Sequence, residues 1–366
     1  MGRCTMILAP DRSGDARPDG ARRDEEPAST ASFDRPIFIF GCGRSGTSLL
    51  SRILNRHPRI AIPFESHVLN TFMPLLERYG DLGDIRNLEQ LVTDILSTYY
   101  FRHWQPPPDR NAILAAVRRP VFADVFDAIH TTWARAQGKA RWGEKSPQHV
   151  EYWQVLRGMY PRAQVVHIVR DGRDVALSLL GARFGPKTAF MAAHYWRDYL
   201  LQVESVKREI DAADLFELTY EDLVRDPDTQ VAALCSFLDE PYSETLLRYY
   251  ETEERYPTDA RNERNLLKPI LSDNTGKWKD ALSRSEVAAF EAVAGDMLTK
   301  YRYERHFPSA RLSAARAWYL RWIQSPPRRL VAMAKNRRGY VETWILLRIR
   351  GRLWLRHLRP GFRRAA

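Results

Sequence analysis

Cysteine is scarce in this chain, and its spacing excludes whole classes of protein. The 366 residues contain three cysteines, Cys4, Cys42 and Cys235, which lie far apart and form no CxxC pair. An odd number of widely spaced cysteines excludes a disulfide scaffold and a cysteine zinc site, and it is typical of a reducing compartment. With 44% hydrophobic residues the composition is that of a globular protein, and the length allows two domains or one large α/β domain with insertions.

Long apolar runs are missing as well. No stretch of 18 uncharged apolar residues occurs, which excludes a transmembrane helix. The first 30 residues have one short apolar stretch before Pro, Gly, Arg and Asp dominate, so they lack the apolar core of a signal peptide. We therefore expect residues 1–34 to be a disordered leader and the protein to be cytoplasmic.

Negative charge is almost absent from the C-terminus. The whole chain has a formal net charge of +11, but residues 310–366 contain 14 Arg and one Lys against a single acid, Glu342. That segment carries +14 and residues 1–309 carry −3, so the basicity does not belong to the body. The predicted divisions are a leader at 1–34, a folded body at 35–308 and a basic helical tail at 309–366.

Apolar runs rich in β-branched and aromatic residues alternate with helical patterns through the body. The run at 37–40 has the continuous apolar pattern of a strand buried on both faces, and residues 165–169 and, more weakly, 215–218 are further strand signals. Strands that alternate with helices predict an α/β fold with a parallel sheet. We expect a three-layer, P-loop-like fold with a central parallel sheet and a helical insertion near residues 67–136.

A glycine loop, GCGRSGTS at residues 41–48, follows the first strand and lacks the lysine of nucleoside triphosphate sites. Gly41 and Gly46 have the spacing of the GxxxxGK[ST] motif, but Thr47 stands at the position of its Lys, and Arg44 supplies the positive charge instead. Successive N–H groups at the start of a helix, together with the helix dipole, favour the binding of an anion. The alternative is that this segment is only a turn.

A second segment, VVHIVRDGRDVALSLL at residues 165–180, has the same organisation. Its strand ends at Arg170, at the edge where open α/β sheets bind ligands, and Ser178 follows about two helical turns later. Asp171 and Asp174 are placed to cap or complement the helix N-terminus. We expect Arg170 and Ser178 to reach one anion; the alternative for Arg170 is a surface ion pair.

These segments together resemble a known family. The segments GCGRSGTSLL, EKSPQH (144–149), VVHIVRDGRDVALSLL and LTYEDLVRDP (218–227) occur in this order. They resemble the motifs of sulfotransferases that use 3′-phosphoadenosine 5′-phosphosulfate (PAPS), in particular tyrosylprotein sulfotransferases and their bacterial relatives. The resemblance covers about residues 36–305.

The resemblance implies how the sulfuryl donor is bound. Arg170 and Ser178 correspond to the residues that hold the 3′-phosphate, and Tyr220 would lie beside the adenine. Lys277, in a loosely matching GKW segment, would either contact a phosphate or be solvated. The residues implied for the 5′-phosphosulfate are Arg44, Ser45, Gly46, Thr47 and Ser48.

The resemblance also implies the catalytic groups. Glu65 corresponds to the base that takes the proton of the acceptor, and Lys145 to the lysine that contacts the bridging oxygen. Arg44 would share the charge of the sulfonate. His67 and His149 are rival bases, because other sulfotransferase branches use a histidine. No metal is implied, because Arg and Lys can neutralise the transferred group and no cluster of ligands at metal spacing occurs.

The basic tail has a pattern of its own. Between Trp344 and Arg359, four arginines recur at helical spacing, and the leucines lie largely off their stripe. This pattern predicts an interfacial helix on an anionic membrane; the alternatives are a helical cap docked on the body and a solvated charged face. No nucleic acid is expected, because base-reading modules are absent. The four arginines are Arg348, Arg352, Arg356 and Arg359.

The predicted function is the transfer of a sulfuryl group from PAPS to a hydroxyl acceptor, with release of adenosine 3′,5′-bisphosphate. A glycan, a lipid-linked glycan and a protein are all open as acceptors, and the oligomeric state is open too. One competing interpretation is a nucleotide-dependent kinase, which the missing loop lysine disfavours. The other is a non-catalytic protein of the same fold that tethers a partner to membranes.

Overall fold

The computed structural model describes residues 35–182, 184–251, 265–334 and 336–357. The predicted leader lies outside the described residues. A five-stranded sheet in the order β2-β3-β1-β4-β5 forms the centre, and every neighbouring pair of strands is parallel. The strands are β1 (Ile37–Phe40), β2 (Ile60–Ala61), β3 (Arg141–Glu144), β4 (Gln164–Val169) and β5 (Leu215–Thr219).

Helices surround the sheet and fill the connections between its strands. The first set is α1 (Thr47–Asn55), α2 (Val68–Phe72), α3 (Ile85–Ser97), α4 (Arg110–Ala116), α5 (Phe122–Ala136), α6 (Trp153–Met159), α7 (Gly172–Gly181) and α8 (Ala189–Lys207). The second set is α9 (Tyr220–Arg225), α10 (Pro227–Phe237), α11 (Trp278–Ala281), α12 (Arg284–Lys300), α13 (Ala314–Tyr319), α14 (Ser325–Ala334) and α15 (Arg337–His357). Short 3-10 segments include Met73–Tyr79, Tyr100–His103 and Pro147–Tyr152, and a π-helical turn spans Leu320–Gln324.

The sheet lies between two apolar layers. Along β1, Phe38 and Phe40 pack into one layer, and Ile37 and Ile39 pack into the other. A strand that contributes to both layers must be apolar at every position, which explains its continuous apolar sequence. The predicted three-layer α/β fold and the helical insertion, which lies between β2 and β3, are confirmed. The short strands β2 and β3 were not predicted, because charged or small residues interrupt their apolar pattern.

The parallel arrangement collects the predicted site segments at one edge. The glycine loop at 41–48 follows β1, Lys145 follows β3, and Arg170 follows β4. Tyr220 follows β5, and Glu65 lies in the segment after β2. Because the carboxyl ends of parallel strands share an edge, residues separated by more than 170 positions come to lie at one end of the sheet.

The predicted tail packs on the body. Ile349 and Leu353 of α15 lie in the same apolar layer as Phe38, and the helix runs beside Met73–Tyr79. Leu320 packs against Phe190. The division after residue 308 stays a prediction, but at these contacts tail and body share one core.

Two arginines of the predicted lipid-facing stripe bind the body. Arg352 pairs with Asp94, and Arg356 donates a hydrogen bond to Asn87. Arg359 lies outside the described residues. The side of α15 that carries Arg352 and Arg356 therefore meets α3, as in the docked-cap alternative, and the membrane interpretation stays a prediction. Among the described residues, no helix is both long enough and apolar enough to cross a bilayer.

Candidate active site

The loop after β1 presents backbone N–H groups at the start of α1. Arg44 and Gly46 have left-handed backbones, with φ of 78° and 96°. The ring of Tyr220 approaches Gly46 so closely that a Cβ there would lie 2.4 Å from a ring carbon, so only glycine fits. The first N–H groups of a helix have no intrahelical acceptor. Ser45 is buried, and its Oγ has no hydrogen-bond partner among the described residues.

Two arginines and a serine converge beside this loop, and we name Arg44, Arg170 and Ser178 the anion cluster. The Nε of Arg44 donates to Ser178 Oγ at 3.0 Å. Arg170 donates from Nη1 to the carbonyl oxygen of Arg44 at 3.3 Å and from Nη2 to that of Asn274 at 2.7 Å. Its guanidinium lies over the ring of Tyr220 at 4.3 Å, and its buried Nε has no partner among the described residues.

The loop at residues 274–277, which we name the late loop, closes over the anion cluster. Asp174 holds it there. The carboxylate of Asp174 accepts from the N–H groups of Gly276 at 2.6 Å and Trp278 at 3.0 Å. Asp171 caps α7, as predicted, and also accepts from the indole of Trp278 at 3.1 Å. Lys277 is exposed on this loop. The contacts of Asp174 to a segment a hundred residues away were not predicted.

Glu65, His67 and Lys145 form a second, hydrogen-bonded group that we name the base cluster. Lys145 Nζ lies 2.5 Å from Glu65 Oε1 and donates to Ser48 Oγ at 3.2 Å. The other oxygen of Glu65 is hydrogen-bonded to His67 Nε2 at 2.8 Å. Lys145 is fully buried, whereas 22% of the Glu65 side chain is exposed. The lysine and the carboxylate therefore meet at the edge of a partly open site.

The charge of Lys145 sets the ionisation of Glu65. Burial alone would raise the pKa of Glu65, but the ammonium of Lys145 and the hydrogen bond from His67 outweigh burial and hold it well below its usual range. Glu65 is therefore a carboxylate at neutral pH. It can accept a proton only weakly while the ion pair is intact.

A buried layer supports the base cluster from behind. Glu144 accepts from the hydroxyls of Ser66 at 2.9 Å and Ser146 at 2.5 Å, and it is hydrogen-bonded to His130 Nε2 at 2.9 Å. Burial would raise the pKa of Glu144, but the hydrogen bonds with His130 and Ser146 help to lower it to about 2. His149 is buried here, 3.6 Å from Glu144, and burial lowers its pKa to about 3. Neither ring nitrogen of His149 has a hydrogen-bond partner among the described residues.

The structure thus sorts the predicted residues into two groups that meet at the glycine loop. Tyr220 lies beside the anion cluster, and Ser48 joins the loop to the base cluster. Tyr199 was not predicted: its hydroxyl accepts from the N–H of Gly41 at 2.8 Å and holds the start of the loop. The feature that could have identified Tyr199 is its place on the buried face of α8. No group of three or more His, Cys, Asp or Glu among the described residues could hold a metal ion.

Comparison with known proteins identifies the family. The model of the sulfotransferase family matches residues 36–244, which include the glycine loop and both clusters. The chain belongs to the sulfotransferase family. The predicted resemblance is confirmed, and membership of this family makes the protein a transferase. The late loop and the tail lie beyond the matched residues.

Relatives in several organisms resemble this sulfotransferase. An uncharacterized protein of Aquifex aeolicus is 25% identical over 261 residues, which cover 67% of this chain but only 30% of that protein. Protein-tyrosine sulfotransferase A of Caenorhabditis elegans is 21% identical over 291 residues, covering 77% of this chain and 70% of that protein. Nodulation protein NoeE of Sinorhizobium fredii is 24% identical over 302 residues, covering 75% and 67%.

Among solved structures, the sulfotransferase domain of the Synechococcus PCC 7002 olefin synthase has the same fold. It superposes with a TM-score of 0.55 at 22% identity and covers 77% of this chain and 99% of that chain. At this identity the likeness establishes the fold alone.

Proposed function

We propose that the protein transfers the sulfuryl group of PAPS to a hydroxyl group and releases adenosine 3′,5′-bisphosphate. The observation that carries the proposal is the meeting of two clusters at one loop. One is cationic and the other contains a carboxylate bonded to a buried lysine. A cationic cluster suits a bisphosphate donor, and an adjacent carboxylate suits the deprotonation of an acceptor.

The residues around the loop fit the donor. Buried polar atoms are almost always hydrogen-bonded, so the Oγ of Ser45 and the Nε of Arg170 call for an acceptor that the described residues do not supply. In the proposal, Arg170 and Ser178 bind the 3′-phosphate and Tyr220 flanks the adenine. Lys277 contributes a further charge from the late loop. The 5′-phosphosulfate is bound by Arg44, Ser45, Gly46, Thr47 and Ser48.

Glu65 is the proposed base. The acceptor hydroxyl gives its proton to the carboxylate of Glu65, and its oxygen bonds to the sulfur. The bond between the sulfur and the bridging phosphate oxygen breaks, and its electron pair stays on that oxygen of the leaving bisphosphate. Lys145 donates a hydrogen bond to this oxygen, and Arg44 offsets charge on the sulfonate. PAPS supplies the sulfuryl group, and no metal takes part.

The ion pair between Glu65 and Lys145 has a role in this proposal. When an anion binds at the loop, Lys145 can turn from Glu65 toward it, because Nζ already reaches Ser48 at 3.2 Å. The main influence that lowers the pKa of Glu65 then weakens, and the carboxylate becomes a stronger base. His67 keeps the other oxygen of Glu65 oriented.

The proposed acceptor is a hydroxyl compound such as a glycan, a lipid-linked glycan or a protein. Aromatic rings surround the exposed side of the base cluster: the rings of Tyr100 and His67 are 4.1 Å apart, and Phe64 stacks on Tyr100 at 6.3 Å. Such rings suit the face of a sugar or a tyrosine. The buried, free thiols of Cys42 and Cys235 are consistent with the predicted cytoplasmic location.

Calorimetric titration with adenosine 3′,5′-bisphosphate, in parallel with ATP and Mg²⁺, tests the donor. We expect the bisphosphate to bind and Arg170→Ala to weaken it by about 10- to 150-fold, the value of a charge-assisted hydrogen bond. Arg197→Ala is the matched control, because Arg197 pairs with Asp296 on the surface. Preference for ATP and Mg²⁺ would favour the kinase, and binding of neither would favour the non-catalytic tether.

A further inference from the structure

Helix α15 is apolar on two opposite faces. Its inner face packs on the body through Ile345, Leu346, Ile349 and Leu353. On the opposite face, Tyr340, Trp344, Leu347, Trp354 and Leu355 are each between 56% and 60% exposed. Several large apolar side chains exposed together on one helix face mark a surface that a partner covers. The outer face of α15 therefore calls for an apolar environment.

The rest of the tail continues this exposed surface. Of the 17 large hydrophobic side chains that are exposed among the described residues, 13 lie between Trp318 and Leu355. A concentration of this kind marks an interaction surface, whereas single exposed apolar residues are ordinary. The members on α13, α14 and the π-helical turn are Trp318, Tyr319, Trp322, Ile323, Leu330, Val331 and Met333.

Positive charge surrounds the exposed apolar residues. Besides Arg352, which pairs with Asp94, seven arginines of the tail are exposed among the described residues, and Arg348 stacks on the ring of Trp344 at 4.7 Å. The single acid, Glu342, faces the body and accepts a hydrogen bond from Tyr100 at 2.5 Å, so it does not offset this charge at the surface. These seven arginines are Arg311, Arg316, Arg321, Arg328, Arg329, Arg348 and Arg350.

The positive charge of the exposed arginines indicates which kind of partner covers the surface. A second copy of the chain would bring the same uncompensated arginines against one another, which is unfavourable. An anionic bilayer offers both an apolar layer for the tryptophans and leucines and phosphate groups for the arginines. Each arginine near such a surface strengthens the attraction, and the effect falls with salt.

We propose that the exposed apolar and arginine side chains of residues 311–355 form a docking surface for an anionic membrane, on which α15 lies parallel to the bilayer plane. The surface is close to the base cluster, because Tyr100 contacts both Glu342 of α15 and the ring of His67. Docking therefore holds the acceptor side of the site near the lipid headgroups. The inference does not depend on the proposed chemistry.

Co-sedimentation of the full chain with vesicles tests the docking surface. We expect binding to phosphatidylcholine vesicles that contain phosphatidylglycerol, weak binding to pure phosphatidylcholine, and release by high salt. The triple variant Trp344→Gln, Leu347→Gln, Trp354→Gln should lower the partition coefficient about tenfold or more. A matched double variant, Ile85→Gln with Leu201→Gln, changes exposed apolar residues of the body and should bind normally.

Bromine-labelled phosphatidylcholine in the anionic vesicles distinguishes insertion from adhesion. Tryptophan fluorescence should be quenched in the wild-type protein and much less in the triple variant. An unchanged thermal unfolding transition verifies that the triple variant is folded. Full vesicle binding by that variant, or binding without quenching, would overturn the proposal. So would a dimer that the triple substitution dissociates, combined with no vesicle binding, because a second copy would then cover the surface.

Discussion

The two halves of the candidate site differ in how their charges are compensated. In the base cluster, Glu65 lies within 2.5 Å of Lys145 and 2.8 Å of His67. In the anion cluster, Arg170 donates to two carbonyl oxygens, and its guanidinium lies 3.9 Å from the carboxylate of Asp174. The hydrogen bonds of Arg170 thus go to neutral acceptors, whereas those of Glu65 join charged groups. Under the proposed function, Glu65 must therefore lose its bond to Lys145 before it can take a proton.

Glu65→Gln should have the largest effect, and the effect should be confined to the base cluster. The amide keeps the shape of the side chain but cannot take a proton, so we expect kcat to fall by about 10²- to 10⁴-fold. The affinity for adenosine 3′,5′-bisphosphate, measured by calorimetry, should stay nearly unchanged because the anion cluster is intact. Glu77→Gln, at an exposed position, is the control. Unchanged turnover in Glu65→Gln would assign the base to His67 or His149.

Lys145→Met tests whether the ion pair restrains the base. Removal of a donor at the leaving oxygen should lower kcat by about 10²- to 10³-fold. Without the ammonium, burial is opposed only by the remaining partners, so the pKa of Glu65 should rise. The acid limb of the pH profile of kcat/KM, which reports the free enzyme, should therefore move to higher pH than in the wild type. An acid limb that stays in place would mean that Lys145 does not control Glu65.

The anion cluster could be predicted because it is built from two short segments, each of which is contiguous in sequence. A buried strand, a glycine loop and a helix start define the environment of Arg44 and Ser48 locally, and the same holds for Arg170 and Ser178. The bonds of Asp174 to the late loop join segments a hundred residues apart. They depend on the path of the chain, for which no local pattern is a guide.

The tail shows why helical periodicity is ambiguous. The spacing of its arginines predicted one charged face, but α15 has two apolar faces, and periodicity does not tell which one meets the body. The structure turns Arg352 and Arg356 toward α3 and leaves Trp344 and Trp354 exposed.

Strands β2 and β3 were missed because their sequence pattern does not show how their residues are packed. Their environment is apolar, but β3 contains Arg141 and Glu144, whose charges are bonded inside the protein.

Asp174→Asn should have an intermediate effect, confined to the anion cluster. The weaker acceptor should loosen the late loop and thus the contact of Arg170 with Asn274, so we expect about tenfold weaker bisphosphate binding by calorimetry. Asp280→Asn, at an exposed position in the same region, is the control. Tighter binding in Asp174→Asn would mean that Asp174 acts chiefly as a charge competing for Arg170, 3.9 Å away.

The smallest effect should come from His149, behind the base cluster, and should be seen in stability. Burial lowers its pKa from 6.5 to about 3, so between these values the unfolded chain binds a proton that the folded protein does not. Stability therefore falls as the pH falls from 6.5 toward 3. Between pH 7 and pH 5.5, the free energy of unfolding from urea titrations should decrease by about 1 kcal/mol more in the wild type than in His149→Asn. Equal losses in both proteins would show that His149 takes up its proton as readily in the folded protein as in the unfolded chain. Burial behind Glu65 would then not lower the pKa of His149.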